Sequence, residues 1–109
     1  MQKIKIDKLL TEKDFEGWLK ELARTFGYQY YHTWRSIHSP AGFPDSWMIR
    51  IEPEPRLIIA ELKTEKGQPT VEQYAWLSAL QTLAEMSKGL IQCYLWRPSD
   101  RDEIERILI

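Results

Sequence analysis

Asp45, Glu61 and Lys63 are the residues of this sequence whose types and spacing best fit a chemical task. Glu61 and Lys63 directly follow the apolar run Leu57–Ala60, which is typical of a buried strand. Because strand side chains alternate between faces, the two charged groups point the same way. A buried carboxylate costs free energy unless a cation lies beside it. Taken alone, this pair therefore favours an ordinary ion pair at a strand end.

Asp45 adds a second carboxylate to this pair. It follows a Gly-Phe-Pro bend and precedes the β-favouring segment Ser46–Ile51. If that segment and the next strand form a hairpin, Asp45 and Glu61 occupy neighbouring strands. Two converging carboxylates repel each other, and a divalent cation such as Mg²⁺ or Mn²⁺ removes that repulsion. The alternative interpretation of Asp45 is a turn or capping aspartate.

Two polar residues on predicted helices fit the same site. Gln73 falls in the middle of an apolar helical stripe, so its amide needs hydrogen-bond partners. A buried carboxylate, a water, a phosphate or backbone groups could each supply them. Glu12 lies on the edge of the apolar stripe of the first helix and either joins the acidic site or is an N-terminal acid favoured by the helix dipole. Glu16 is predicted to point further toward solvent.

Hydrophobic periodicity and capping residues predict seven elements in a single domain, residues 1–109. Thr11 and Thr70 are the expected helix N-caps, and Gly27 and Gly89 the expected C-caps. The predicted elements are a helix over about 12–26, strands over about 28–34, 46–51 and 56–63, a helix over about 70–88, a strand over about 90–96 and a short helix to about 108. The order α-β-β-β-α-β-α indicates an α/β fold in which helices flank a mixed sheet.

In this order of elements, Asp45 followed by Glu61-x-Lys63 resembles the PD-(D/E)xK nuclease superfamily, which has a restriction-endonuclease-like core. More narrowly, the chain resembles the VRR-NUC family, the virus-type replication-repair nuclease domain. The resemblance covers the chain from about residue 11 onward. The segments that carry it are Thr11-Glu12-x-x-Phe15, Gly42-Phe43-Pro44-Asp45, Glu61-Leu62-Lys63-Thr64, Gln73-x-x-Trp76-Leu77 and Trp96-Arg97-Pro98-Ser99-Asp100.

The resemblance implies a Mg²⁺- or Mn²⁺-dependent DNA endonuclease that hydrolyses phosphodiester bonds in branched or nicked DNA. Holliday-junction resolution or nicking in phage-type replication, recombination or repair is the expected setting, with a homodimer as the working form. Asp45, Glu61 and the backbone carbonyl of Leu62 would hold the metal, and Lys63 would position the attacking water. Gln73 would orient the site, and Glu12 would complete the acidic cluster directly or through water.

Basic residues outside this set are candidate phosphate contacts. They are Lys66, His32, Arg35, Arg97 and, beside Arg97, Arg101. For each of them a solvated surface charge is the competing interpretation.

Composition narrows the remaining function classes. The formal net charge of −1 does not indicate a nucleic-acid-binding surface. The single cysteine, Cys93, lies in an apolar run and is expected to be a buried structural thiol, and His32 and His38 lack metal-ligand spacing, so a zinc or thiol enzyme is not expected. No apolar run is long enough to span a membrane and no signal peptide is recognisable, which predicts a cytoplasmic protein of a phage or bacterial host cell.

Two other functions compete with the nuclease hypothesis. One is a non-catalytic module that keeps the nuclease fold and binds DNA or a protein partner, which the near-neutral charge and small size favour. The other is a metal hydrolase of small phosphate esters.

Overall fold

The structure, a computed structural model, describes residues 3–33 and 40–109. Its elements in chain order are α1 (Lys3–Leu9), α2 (Glu12–Thr25), β1 (Gln29–His32), β2 (Ser46–Arg50), β3 (Arg56–Leu62), α3 (Val71–Met86), β4 (Ile91–Trp96), a 3-10 turn (Pro98–Asp100) and α4 (Arg101–Leu108). The seven predicted elements are all present with slightly shorter bounds, so the predicted order is confirmed from α2 onward.

Helix α2 begins where the sequence predicts, because Thr11 and Asp14 cap it reciprocally. The Asp14 backbone N–H donates to Thr11 Oγ1 at 3.0 Å, and the Thr11 N–H donates to the Asp14 carboxylate. The helix ends before Gly27, whose φ of +86° is a conformation that glycine adopts without strain. Residues at helical spacing are buried along one face: Phe15, Leu19 and Ala23.

The four strands form one mixed sheet in the order β1-β2-β3-β4. β1 and β2 pair antiparallel, as do β2 and β3, whereas β3 and β4 pair parallel across the α3 crossover. β3 is therefore an interior strand, which explains why it is apolar on both faces. The prediction of a helix-flanked mixed sheet is confirmed.

The main core lies between one face of the sheet and the helices α2 and α4. Its buried side chains are Phe15, Leu19, Ala23, Tyr28, Met48, Ile58, Ala60, Leu62, Trp96, Ile104 and Leu108. Helix α3 packs against β4, and its first turn reaches Glu61, whose side chain points away from this core. Within residues 3–33 and 40–109, no helix is long and apolar enough to cross a membrane.

Helix α1 is the element that the sequence analysis did not predict. It carries Asp7, which is 2% exposed and forms an ion pair with Arg101 at the start of α4. This partner lies almost the whole chain length away, so local sequence could not indicate the helix. Arg101, considered above as a phosphate contact, is engaged by this buried carboxylate.

Candidate functional site

The β2-β3 hairpin brings Asp45 and Glu61 together. Ser46 pairs with Ala60 in the antiparallel register, so the residue before Ser46 lies across from the residue after Ala60. The two side chains are 8% and 1% exposed. Asp45 Oδ2 accepts a hydrogen bond from the Leu62 backbone N–H at 2.9 Å, which fixes its carboxylate against β3. Asp45 is thus not only a turn residue but bridges two strands beside Glu61.

Glu61 has one oxygen that is engaged and one that is not. Its Oε2 accepts a hydrogen bond from Gln73 Nε2 at 2.7 Å and lies 3.9 Å from Lys63 Nζ, a separation too long for a hydrogen bond. Its Oε1 is buried and accepts no hydrogen bond from the part of the chain that the structure describes. A buried ionised carboxylate oxygen without a donor is costly. A proton shared with Asp45 would satisfy this oxygen in the metal-free protein, and a bound cation would satisfy it in place of that proton.

The electrostatics of Glu61 reflect this arrangement. Burial, followed by the negative charge of Asp45 and by a side-chain hydrogen bond that the protonated form makes with Asp45, raises the pKa of Glu61 to about 8. Glu12 raises this pKa further, whereas the ammonium of Lys63 lowers it. The buried ammonium therefore only partly offsets the repulsion between the carboxylates, and the simple ion pair that Glu61 and Lys63 suggest on their own does not account for the site.

Gln73 makes hydrogen bonds both to backbone groups and to a buried carboxylate, two of the partners that the sequence left open. Its backbone N–H donates to Thr70 Oγ1 at 3.1 Å and its Oε1 accepts from the Thr70 N–H at 2.8 Å, which caps α3. The remaining amide nitrogen, Nε2, donates to Glu61. The capping box thus holds the amide in the orientation that reaches the carboxylate. At its other end α3 stops at Met86, capped by Ser87 rather than by Gly89.

The loop before Asp45 is held against the first turn of α3. Phe43 stacks on Trp47 with ring centres 5.3 Å apart and meets Trp76 edge-on at 4.9 Å. Gly42 has a φ of +81°, and a Cβ at this position would lie 2.5 Å from the backbone carbon of Glu72. Gly42 therefore permits the close approach that sets Asp45 next to the end of α3 carrying Gln73.

Gly42→Ala is expected to destabilise the protein by about 2 kcal/mol or more, because it adds left-handed strain and a backbone clash. Urea unfolding measures the change in the free energy of unfolding. Gly17→Ala is the matched control: Gly17 lies within α2, a Cβ there meets nothing within 4 Å, and a gain of about 0.5 kcal/mol is expected. Equal stability of the two variants would contradict the role given to Gly42.

A cavity of about 390 Å³ opens beside Asp45, between α2 and the sheet, and neither Glu61 nor Lys63 is among its lining residues. The residues that line it are Glu12, Lys13, Glu16, His32, Asp45 and Leu62. His32 Nδ1 lies 3.2 Å from Glu16 Oε2, so these two side chains contact each other in the wall of the cavity. Glu16, expected to point further toward solvent than Glu12, has a side chain that is 24% exposed and lines the same cavity as Glu12.

Lys13 and Glu16 are site residues that the sequence analysis missed. Glu16 follows Glu12 at a spacing of four, which places both on the same side of α2, and this spacing was an available signal. Lys13 adjoins Glu12 and adds a cation to the cavity rim. No pattern in the sequence distinguishes Lys13 from the other exposed lysines.

The candidate phosphate contacts have different surroundings. His32 lines the cavity, and Lys66 is exposed in the loop between β3 and α3. Arg97 Nη1 donates to the carbonyls of Thr64 and Gly67 at 2.7 and 2.6 Å, so it holds this same loop in place. Arg35 lies outside the described residues, and its role stays a prediction.

The predicted metal ligands fit a hard cation of the Mg²⁺ class in their donor chemistry. Two buried carboxylates that repel each other and a carboxylate oxygen with no donor are what such an ion neutralises. Across residues 3–33 and 40–109, no group of three or more His, Cys, Asp or Glu residues is arranged to hold a metal. Glu12 is therefore not placed as a third direct ligand beside Asp45 and Glu61 within these residues. The two carboxylates and the Leu62 carbonyl remain the predicted ligand set.

Comparison of the chain with protein-family models, with curated proteins and with solved structures finds no match. The functional conclusion therefore depends on the residues and their geometry.

Proposed function

We propose that this protein is a divalent-metal-dependent endonuclease that hydrolyses phosphodiester bonds in DNA. The observation that carries the proposal is the arrangement around Glu61, a buried carboxylate with one unsatisfied oxygen beside a second carboxylate and a buried ammonium. Most buried polar atoms have a hydrogen-bond partner, and a cation would supply one for this oxygen while offsetting the repulsion between the two carboxylates. The sequence resemblance to PD-(D/E)xK nucleases supports the same conclusion.

Asp45, Glu61 and the Leu62 carbonyl would hold Mg²⁺ or Mn²⁺. When bound, the ion polarises the scissile phosphate and lowers the pKa of a coordinated water. Gln73 keeps the Glu61 carboxylate oriented through its 2.7 Å hydrogen bond. The hydrogen bond from the Leu62 N–H does the same for Asp45.

Lys63 is assigned the positioning of the attacking water and the stabilisation of negative charge. Its side chain is 11% exposed and lies on the same side of β3 as Glu61. An ammonium group has three donors and no acceptor, so it can hold a water by hydrogen bonding but cannot take a proton from it. A hydrogen-bond donor role therefore fits Lys63 better than that of a general base.

The cavity that Asp45 and Leu62 help to line is the proposed position of the substrate backbone. Lys13 and His32 on its wall would offer positive charge and hydrogen bonds to a phosphate, and Glu12 would complete the acidic cluster. The net charge of −1 gives little general attraction to a long duplex, which favours recognition of a DNA branch or nick by shape. A homodimer would present two such sites to the two strands of a branched substrate.

The test is incubation of the purified protein with supercoiled plasmid and with a synthetic four-way junction, in Mg²⁺, in Mn²⁺ and in EDTA. Cleavage in either metal and none in EDTA is expected. Asp45→Asn should abolish it, whereas Glu54→Gln, an exposed acid in the β2-β3 turn, should not. Junction binding without cleavage by the wild type would instead support the non-catalytic binding module, and cleavage of nucleotide esters alone would support the small-substrate hydrolase.

A further inference from the structure

The outer edge of β4 is an open strand edge. β4 is the last strand of the sheet, and its side facing away from β3 pairs with no other strand of residues 3–33 and 40–109. The Leu57 N–H donates to the Leu90 carbonyl at 2.8 Å, and the Lys63 N–H donates to the Trp96 carbonyl at 3.0 Å. The backbone N–H and C=O groups of the even-numbered residues of β4 therefore point toward β3, and those of the odd-numbered residues point away from the sheet.

Four outward backbone groups lack partners within residues 3–33 and 40–109: the N–H and C=O of Cys93 and of Leu95. The Ile91 N–H is engaged, because it donates to Ser87 Oγ at 2.9 Å. The single Ser87 hydroxyl proton is shared between the Ala84 carbonyl at 2.7 Å and the Ile91 carbonyl at 3.1 Å. At the other end, the Arg97 N–H donates to the Asp100 carboxylate and the Arg97 carbonyl accepts from the Asp100 N–H. Cys93 and Leu95 are thus the two residues of the open edge. Ile91 before them and Arg97 after them use outward backbone groups for bonds within the chain.

A groove runs along this edge between β4 and α3. It contains cavities of about 280 and 210 Å³ that share Gln81, Cys93 and Tyr94 in their walls. Apart from Glu85, the side chains that line the two cavities are uncharged, and so is every residue of β4. An occupant that matches this edge is an uncharged extended strand, which satisfies the backbone groups and places alternate side chains in the groove.

We propose that the occupant is β4 of a second copy of this chain, paired antiparallel about a two-fold axis at Tyr94. In this register Cys93 of each copy exchanges two hydrogen bonds with Leu95 of the other, so all four free groups of both copies are satisfied. A register centred on Cys93 would require the occupied groups of Ile91, and one centred on Leu95 would require those of Arg97. Because β4 carries no charge, two copies can meet without repulsion.

The pairing makes one continuous eight-stranded sheet and arranges the two candidate sites. Glu61 lies beside Leu95 in the β3-β4 register. From standard strand spacing and rise, the two copies of Glu61 would lie on the same face with their Cα atoms on the order of 15 Å apart. If the proposed nuclease function holds, the dimer presents both sites to one branched substrate. The interface itself does not depend on that function.

Sedimentation of the full chain tests the interface independently of any cleavage. The wild type should sediment at twice the monomer mass at micromolar concentration. Cys93→Pro, which removes one outward N–H and no bond to β3, should shift the protein to monomer. Cys93→Ala, which keeps that N–H, should remain dimeric. A wild-type monomer at these concentrations would overturn the proposal and leave the edge for a strand of another protein.

A cross-link tests the register without depending on the proline variant. Tyr94 of the two copies would form a non-hydrogen-bonded pair with Cα atoms about 4.5 Å apart, within the range of a disulfide. Tyr94→Cys in a Cys93→Ser background should therefore form a covalent dimer on mild oxidation. A dimer that neither cross-links at this position nor dissociates in Cys93→Pro would show that another surface mediates association, and the proposal would be wrong.

Discussion

Replacing Lys63 with alanine is expected to lower metal-dependent cleavage about a thousand-fold, the scale on which a donor to developing charge acts. The Lys63 side chain is 11% exposed and its ammonium lies 3.9 Å from Glu61 Oε2, so water screens its charge less than that of a surface lysine. The loss should appear in kcat rather than KM, because the interaction strengthens as charge develops. Lys63→Arg should not restore activity, since the larger planar guanidinium does not fit the space of a buried ammonium.

Lys66→Ala is the matched control, because Lys66 lies three residues further along the chain and is exposed. Its charge is screened, so a change of less than about tenfold is expected, mainly in KM. Circular dichroism of both variants checks that they are folded. The assignment of Lys63 would be refuted by a variant that retains cleavage within tenfold of the wild type, or by an equally large loss in Lys66→Ala.

Glu61→Gln is expected to stabilise the metal-free protein and to remove its response to metal. Because burial and Asp45 raise the pKa of Glu61 to about 8, the folded protein takes up a proton. Metal-free stability therefore falls as pH rises from the usual carboxyl pKa of about 4.5 toward 8. Glutamine removes this charge and can still accept from Gln73, so a gain of about 1–3 kcal/mol at neutral pH is expected.

Urea unfolding of both proteins in EDTA and in Mn²⁺ measures the effect. With the cation at about one hundred times its Kd, the wild type should gain about 2.7 kcal/mol, and Glu61→Gln should gain almost nothing. Glu54→Gln, an exposed acid, should match the wild type in both conditions. A Glu61→Gln protein that is less stable than the wild type in EDTA, or that keeps the full Mn²⁺ response, would contradict the cation site.

Much of the fold could be predicted because its determinants are local. Thr11 and Thr70 each cap a helix through a residue three positions on, and the Pro53/Pro55 turn sets up the β2-β3 hairpin. The bounds of β3 follow from its apolar run. Cys93 is a partial exception. It was expected to be fully buried, but it is only partly buried because β4 is an edge strand, and burial still raises the pKa of its thiol to about 11.

The candidate site likewise has features that local sequence determines and features that depend on tertiary packing. The sequence by itself determined the residue types and their order, since Asp45, Glu61, Lys63 and Gln73 lie at the ends of elements that local patterns define. Only the tertiary structure decided that Glu61 Oε1 has no donor among the described residues, because a donor could have come from any packed element. Three other contacts also depend on tertiary packing alone. They are the contact between Glu16 and His32, the ion pair by which Arg101 anchors α1, and the hydrogen bonds of Arg97 to the β3-α3 loop. Hydrogen bonding, burial and charge depend on distances between segments that are remote along the chain, and these distances are set by packing.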